Sequence, residues 1–215
     1  MFINNTILFI VMDFMNVMNE RFAAKSFSTE KKISKDDLNK IVEFGRLSPS
    51  SYGLEQWKFI VVSNQELKEK LVPACYNQPQ IAQASEVVVI LNKRKEFVKG
   101  STYIADTFTA RMPEQAAKVM IPMAEGAIFA KSEEAIDEWG KKQGYIAAAN
   151  MMTGAKSLGI DSCPMEGFVE DSVLEILGID SKDYGVSMVI PFGFADKPGY
   201  PKARFSIEQV VEFRD

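Results

Sequence analysis

Histidine does not occur once in the 215 residues. That absence removes Ser-His-Asp triads, imidazole general bases and imidazole metal ligands together. Cysteine is nearly as scarce. Cys75 and Cys163 are too few for a four-thiolate zinc site within one chain or for a disulfide framework, and no metal site is expected. Both read as reduced packing thiols of a cytoplasmic protein. Positive charge is also in short supply. Against 29 Asp and Glu stand 25 Lys and Arg, and the net charge of −4 offers no broad cationic face for nucleic acid. Long apolar runs are missing too. The stretch Ile7 to Val11 is too short to span a bilayer, and the N-terminus has neither a Lys/Arg n-region nor an Ala-x-Ala-like cleavage site. Residues 1–11 therefore read as an extension before a natural start at Met12, disordered or packed on a partner subunit, rather than as a membrane anchor. Neither G-x-G-x-x-G after a strand nor G-x-x-x-x-G-K-[ST] occurs, which speaks against Rossmann and P-loop nucleotide sites.

What is present suits one soluble domain, 12–215, with 47% hydrophobic and 25% charged residues and no repeat or linker. Ser34 opens a helix carrying Leu38, Ile41, Val42 and Leu47 on its apolar side, and Pro49 makes Ser48 its boundary. Trp57 to Val62 reads as a strand, and Asn64 caps a helix through Leu71. Glu86 to Leu91 contains Val87-Val88-Val89-Ile90, apolar on both faces as a central strand should be. Residues 93–131 mix helix-compatible stretches with Pro113, Pro122 and Gly126, and read as a variable excursion able to cover a site. Ser132 caps a helix to Ser157, whose half Tyr145 to Met152 is small, apolar on nearly every side and suited to the centre of a dimer. A helix Val169 to Leu177 ends at Gly178, and a strand runs from Tyr184 to Phe192. The tail Ser206 to Phe213 reads as an extended or mixed arm. Helices outnumber strands around a small sheet, an α+β or mixed α/β class.

Four separated segments carry the chemistry. Arg21 and Lys25 lie four apart, so on a helix or tight turn they face one ligand. Lys202 and Arg204 lie two apart and share a face if extended. Alone, each is an ordinary solvated charge; together the four can clamp a phosphate. Pro49, Ser50 and Ser51 end a helix, where hydroxyls bind polar ligand edges or simply their own backbone. Pro164-Met165-Glu166-Gly167 is a bend whose glycine permits close approach of a flat ligand. Asn77 and Gln80 flank Pro79 with amides able to read a ring of donors and acceptors. This is the inventory for a phosphorylated, planar, electron-accepting ligand.

The order of these segments resembles the FMN-dependent nitroreductase superfamily, in particular NAD(P)H-dependent nitroreductases and flavin or quinone reductases. The resemblance runs from about Met12 to the C-terminus. It rests on Arg21-x-x-x-Lys25-x-Phe27, Ser48-Pro49-Ser50-Ser51 with Trp57, Asn77 before Ala84 to Val89, Pro164 to Phe168, and Lys202-x-Arg204. It implies an intertwined homodimer with a small, mainly antiparallel sheet surrounded by helices, and two FMN sites at the subunit interface. By the same resemblance Arg21, Lys202 and Arg204 hold the phosphate or ribityl end. Lys25 approaches the pyrimidine side of the ring, and Asn77 hydrogen-bonds it. The backbone at Glu166 and Gly167 reaches N5 and O4, and Ser50 and Ser51 come from the other subunit. Phe22, Ala23, Gly53, Gln80, Pro164 and Met165 complete the implied cofactor surroundings. Lys25 and Glu166 are implied to tune the flavin, with no side-chain base.

The chain departs from its relatives at Phe22, Ala23, Glu55-Gln56 and Gln80, where some place a second lysine. The implied activity is hydride transfer from NADH or NADPH, then reduction of a nitroaromatic, quinone or flavin by a two-step exchange. A dehalogenase-like or ene-reducing enzyme of the same fold and a flavin-storage protein are the alternatives.

Overall fold

Strand β2, Glu86–Lys93, occupies the centre of the sheet because both of its faces are apolar. The computed structural model of the chain describes residues 14–214, so the expected extension at 1–11 lies outside the described residues. On one side of β2 pairs β1, Trp57–Val62, and on the other β4, Tyr184–Gly193. The two-residue β3, Asp161–Ser162, adds to the far edge of β4. The order β1-β2-β4-β3 is antiparallel throughout. Alternation along β2 sends Val87, Val89 and Leu91 into one apolar layer and Val88 and Ile90 into the other.

Helices close both layers. Residues 14–20 form α1, followed by α2 (Lys35–Arg46), α3 (Gln65–Ala74) and α4 (Gln80–Gln83). Then come α5 (Tyr103–Arg111), α6 (Glu114–Phe129), α7 (Glu133–Ser157), α8 (Glu170–Leu177) and α9 (Ile207–Val210). Leu71 of α3 and Val173 and Leu174 of α8 fill the first layer; Ile41 of α2 and Ala147 and Met151 of α7 fill the second. The expected caps form. Ser34 accepts from the Asp37 N–H, Asn64 from the Leu67 N–H and Ser132 from the Ala135 N–H. Gly178, with φ of 67°, ends α8 in the left-handed conformation. Helix α3 runs past Leu71 to Ala74 despite Pro73, because the Cys75 N–H bonds back to Leu71 O and closes the last turn. Leu47 leaves the expected apolar side of α2. It is the C-cap residue and lies exposed, whereas Ile41 is fully buried.

Two features bring α7 close to its neighbours. The β2–β4 register shifts between Ile90 and Leu91, which leaves Ser187 as an extra residue on β4. The bulge reverses side-chain parity, so Val186 joins the first layer while Met188 and Ile190 face the second. It rests against Gly144 of α7, where an added Cβ would come within 2.7 Å of Ser187 Oγ.

Residues 93–131 hold α5, α6 and a 3-10 turn at Lys95–Phe97. Phe97, Ile104, Phe108 and Ile128 form a third apolar cluster there, with Leu54 and with Ile136 of α7. In the tail, Ser206 opens the short α9, its N–H donating to Gln209 Oε1, and residues 201–214 are all exposed.

Candidate functional site

The segment Arg21 to Phe27 is extended rather than a helix or tight turn. The sheet offers it unpaired backbone groups, and it takes them. Ala23 bridges Ser162 in parallel, the Ala24 N–H donates to Ser162 O at 3.0 Å, and Phe27 pairs with Ala195. Arg21, Phe22, Ala23, Lys25 and Ser26 all border one cavity, while Ala24 is buried. Arg21 and Lys25 thus face one cavity, as expected, but from an extended, bent segment without strict alternation.

After β4 the chain turns back over this segment. Gly199 lies against Phe22 so closely that an added Cβ would stand 2.5 Å from Phe22 Cγ, so only glycine fits. The Lys202 ammonium donates to Met18 O and, at 2.9 Å, to Arg21 O, a cation at the C-terminal end of α1.

Between the two segments opens a cavity of about 1010 Å³ lined by Arg21, Lys25, Lys156, Lys197, Lys202 and Arg204, with Glu20 as the lining acid. Lys156 is matched by Asp161 at 3.2 Å. The Lys202 pKa lies below the usual lysine value, through burial first and then repulsion from Arg21 and Arg204. Cations gathered this way form a site for an anion, and guanidinium forks suit a phosphate. Phe22, Ala23 and Pro164 line the same cavity.

Pro164 leads from the cavity into the bend. Met165 is buried and exchanges both backbone hydrogen bonds with Val189, at 2.9 and 3.1 Å. The next two N–H groups, of Glu166 and Gly167, donate to no backbone acceptor among the described residues. Two such donors beside a cationic cavity match the edge of a ring bearing acceptor atoms. The Glu166 carboxylate accepts from the Tyr145 hydroxyl at 2.6 Å, and burial together with Glu166 pushes the phenol pKa up to about 12. Lys25 Nζ approaches Cys163 Sγ at 3.6 Å, just before the bend.

Asn77 and Gln80 are not among the residues lining the cavity. Asn77 is exposed with φ of 56°, a left-handed conformation that asparagine tolerates. Gln80 is buried and donates to Gln78 Oε1 at 3.1 Å, while Gln78 donates to Gly167 O at 3.2 Å. Gln80 therefore reaches the 164–167 bend through Gln78, whereas Asn77 makes no side-chain hydrogen bond toward it among the described residues. Pro49, Ser50, Ser51 and Gly53 line no part of the cavity either; they sit on the loop after α2.

Lys156, Lys197, Gln78 and Tyr145 were not singled out by the sequence. The two lysines look like isolated surface charges, and Tyr145 is hidden in an apolar helical run. Among the described residues no cluster of three or more acidic or thiol side chains could hold a metal, and no helix is long and apolar enough to cross a membrane.

Comparison with known proteins agrees with this architecture. A protein of Staphylococcus haemolyticus, named provisionally an NAD(P)H nitroreductase, is 41% identical over 212 residues, covering 93% of this chain and 96% of its own length. A nitroreductase structure from Bacillus subtilis superposes with a TM-score of 0.84 at 26% identity, covering 95% of this chain and all of that one. Another, from Exiguobacterium sibiricum in complex with FMN, gives 0.82 at 26% identity over 94% and 97% of the two chains. The Nitroreductase family profile matches residues 18–194, and the chain belongs to that family.

Proposed function

We propose that the chain is an FMN-dependent oxidoreductase that takes hydride from NADH or NADPH and reduces nitroaromatics, quinones or flavins. One observation carries the reading: a cation-lined cavity that reaches Pro164, two residues before Glu166 and Gly167, whose N–H groups donate to no backbone acceptor among the described residues. Phosphate at one end and ring edge at the other is the donor pattern a flavin mononucleotide requires. The FMN-bound structure of the Exiguobacterium relative and the names of the staphylococcal relatives support it.

FMN, when bound, supplies the chemistry of accepting and releasing hydride. The chain supplies position and charge. Arg21, Lys202 and Arg204 neutralise the phosphate, and Lys25 sets a positive charge toward the ring end, where reduction places negative charge. The backbone at Glu166 and Gly167 fixes the ring edge. Hydride transfer asks for no side-chain base, which suits a chain without histidine. Reductant and acceptor use the same opening in turn, and the 93–131 excursion is the substrate lid in this reading, although none of its residues lines the cavity; its α6 carries exposed Val119 and Met123.

The working unit in this reading is a cytoplasmic homodimer. Ser50 and Ser51, away from this cavity, complete the site of the neighbouring protomer. Exposed Tyr145 and Ile146 of α7 and exposed Tyr200, Phe205 and Phe213 of the tail are the apolar surface such a dimer would cover.

The test is to purify the protein, release and identify its flavin, and follow NADH and NADPH oxidation with menadione or nitrofurazone. FMN release and acceptor-dependent turnover are expected. A colourless protein that gains no thermal stability from added FMN overturns the proposal, and a yellow one inert to every acceptor is a flavin-storage protein instead.

A further inference from the structure

The loop between α2 and β1 is held in a conformation its sequence does not favour. Tyr52 and Glu55 have φ of 59° and 47°, the left-handed region that costs non-glycine residues energy. Gln143 of α7 and Gln56, both buried, keep it there. Gln143 Oε1 accepts the Ser51 N–H at 2.9 Å, while its Nε2 donates to Trp139 O at 3.1 Å. From the opposite side Gln56 Nε2 donates to Ser51 O at 3.1 Å. Both backbone groups of Ser51 are therefore clamped by buried amides. Each amide has one orientation only, since its partners are a fixed N–H and fixed carbonyls.

Gln56 does this at a cost. Its Oε1 is buried and has no hydrogen-bond partner among the described residues. A buried acceptor left unmatched destabilises a fold. The clamp also decides what remains for a ligand. With the Ser51 backbone occupied, and Ser50 Oγ accepting the Glu55 N–H at 2.9 Å, both serine hydroxyls keep their own hydrogens to donate outward.

We propose that Gln143 and Gln56 are positioning residues for FMN binding, aiming the Ser50 and Ser51 hydroxyls at the flavin of the neighbouring protomer. The inference rests on the function proposed above. A pair of amides deep in one protomer then sets the cofactor affinity of the other. Because Gln143 lies two residues from Tyr145, which bonds Glu166 at the protomer's own site, α7 orients parts of both flavin sites.

The test is FMN titration of apoprotein by flavin fluorescence, with apoprotein melting and dimer state measured alongside. Gln143→Met keeps volume but loses the acceptor, and should weaken FMN binding about tenfold while the dimer persists. In a Ser50→Ala/Ser51→Ala background, Gln143→Met should add no further loss, because the effect runs through the hydroxyls. Additivity with the serine changes would mean a purely structural role and overturn the proposal, as would wild-type affinity in Gln143→Met. If Gln143→Met does not fold, Gln56→Met makes the same test from the other side of Ser51. Wild-type apoprotein that binds no FMN refutes the proposed function itself, a different outcome from any of these.

Discussion

Replacing Arg21 by methionine separates an organised phosphate site from a loose crowd of surface charge. Arg21 is held on both sides of its backbone: its N–H donates to Val17 O at 2.9 Å, and its carbonyl accepts from Lys202 Nζ at 2.9 Å. The guanidinium is thus presented from an ordered position, half-buried beside Lys202 and Arg204. A hydrogen bond to a charged group is worth about 1.5–3 kcal/mol. Partial exposure and salt screening argue for the lower end, about 1.5 kcal/mol or roughly tenfold in Kd. Arg204 is exposed and, among the described residues, bonded only to the adjacent Ala203 O, so Arg204→Met should cost less. The assay is titration of apoprotein with FMN and, separately, with riboflavin, at low and high salt. Arg21→Met should weaken FMN binding and flatten its salt dependence, leaving riboflavin binding unchanged because riboflavin carries no phosphate. Equal losses for both ligands, or no loss for either, would refute the assignment of this cavity to the phosphate.

Two further outcomes follow from packing and charge. Gly144→Ala drives a Cβ to within 2.7 Å of Ser187 and 3.2 Å of Ile90, and should cost about 1–3 kcal/mol in denaturant unfolding; a wild-type midpoint would mean that the bulge yields freely. Burial raises the Asp137 carboxyl, but Arg94 and then Lys141 outweigh it and hold its pKa below the usual carboxylate value. With the folded pKa below the unfolded one, this contribution is complete above about pH 4 and is lost on further acidification. Arg94→Met leaves Asp137 and Glu170 sharing Lys141, so melting measured against pH should show lower stability and an acid transition shifted upward.

Elements announced by local chemistry were legible in the sequence: the caps at Ser34, Asn64 and Ser132, the stop at Gly178, and a β2 strand apolar on both faces. Each depends on groups within a few residues, where side-chain type decides the outcome. The excursion at 93–131 resisted because Pro113 and Pro122 read as breakers, yet Pro113 only precedes α6 and Pro122 is absorbed within it. Its helices are also stabilised by Leu54 and Ile136, one far before it in sequence and the other beyond its end. The Ser187 bulge was equally silent, since an extra residue in one strand shows only against its partner.

Arg21 and Lys25 illustrate a subtler limit. A spacing of four puts two side chains on one face both at a period of 3.6 and at a period of two. The pattern therefore specified the shared face without specifying the conformation, and the open edge at Ser162 decided for the extended one. The same logic explains why Lys156 and Lys197 escaped notice. A single cation among polar neighbours is indistinguishable in sequence from a solvated charge. It becomes informative only when residues far apart in the chain bring several cations to one wall with few acids among them. Convergence of that kind is unfavourable in a protein that binds nothing, because repulsion among Arg21, Lys202 and Arg204 is left uncompensated. Burial is the first cause of the depressed Lys202 pKa and repulsion from Arg21 and Arg204 adds to it; a dianionic phosphate is the simplest group that would relieve that repulsion.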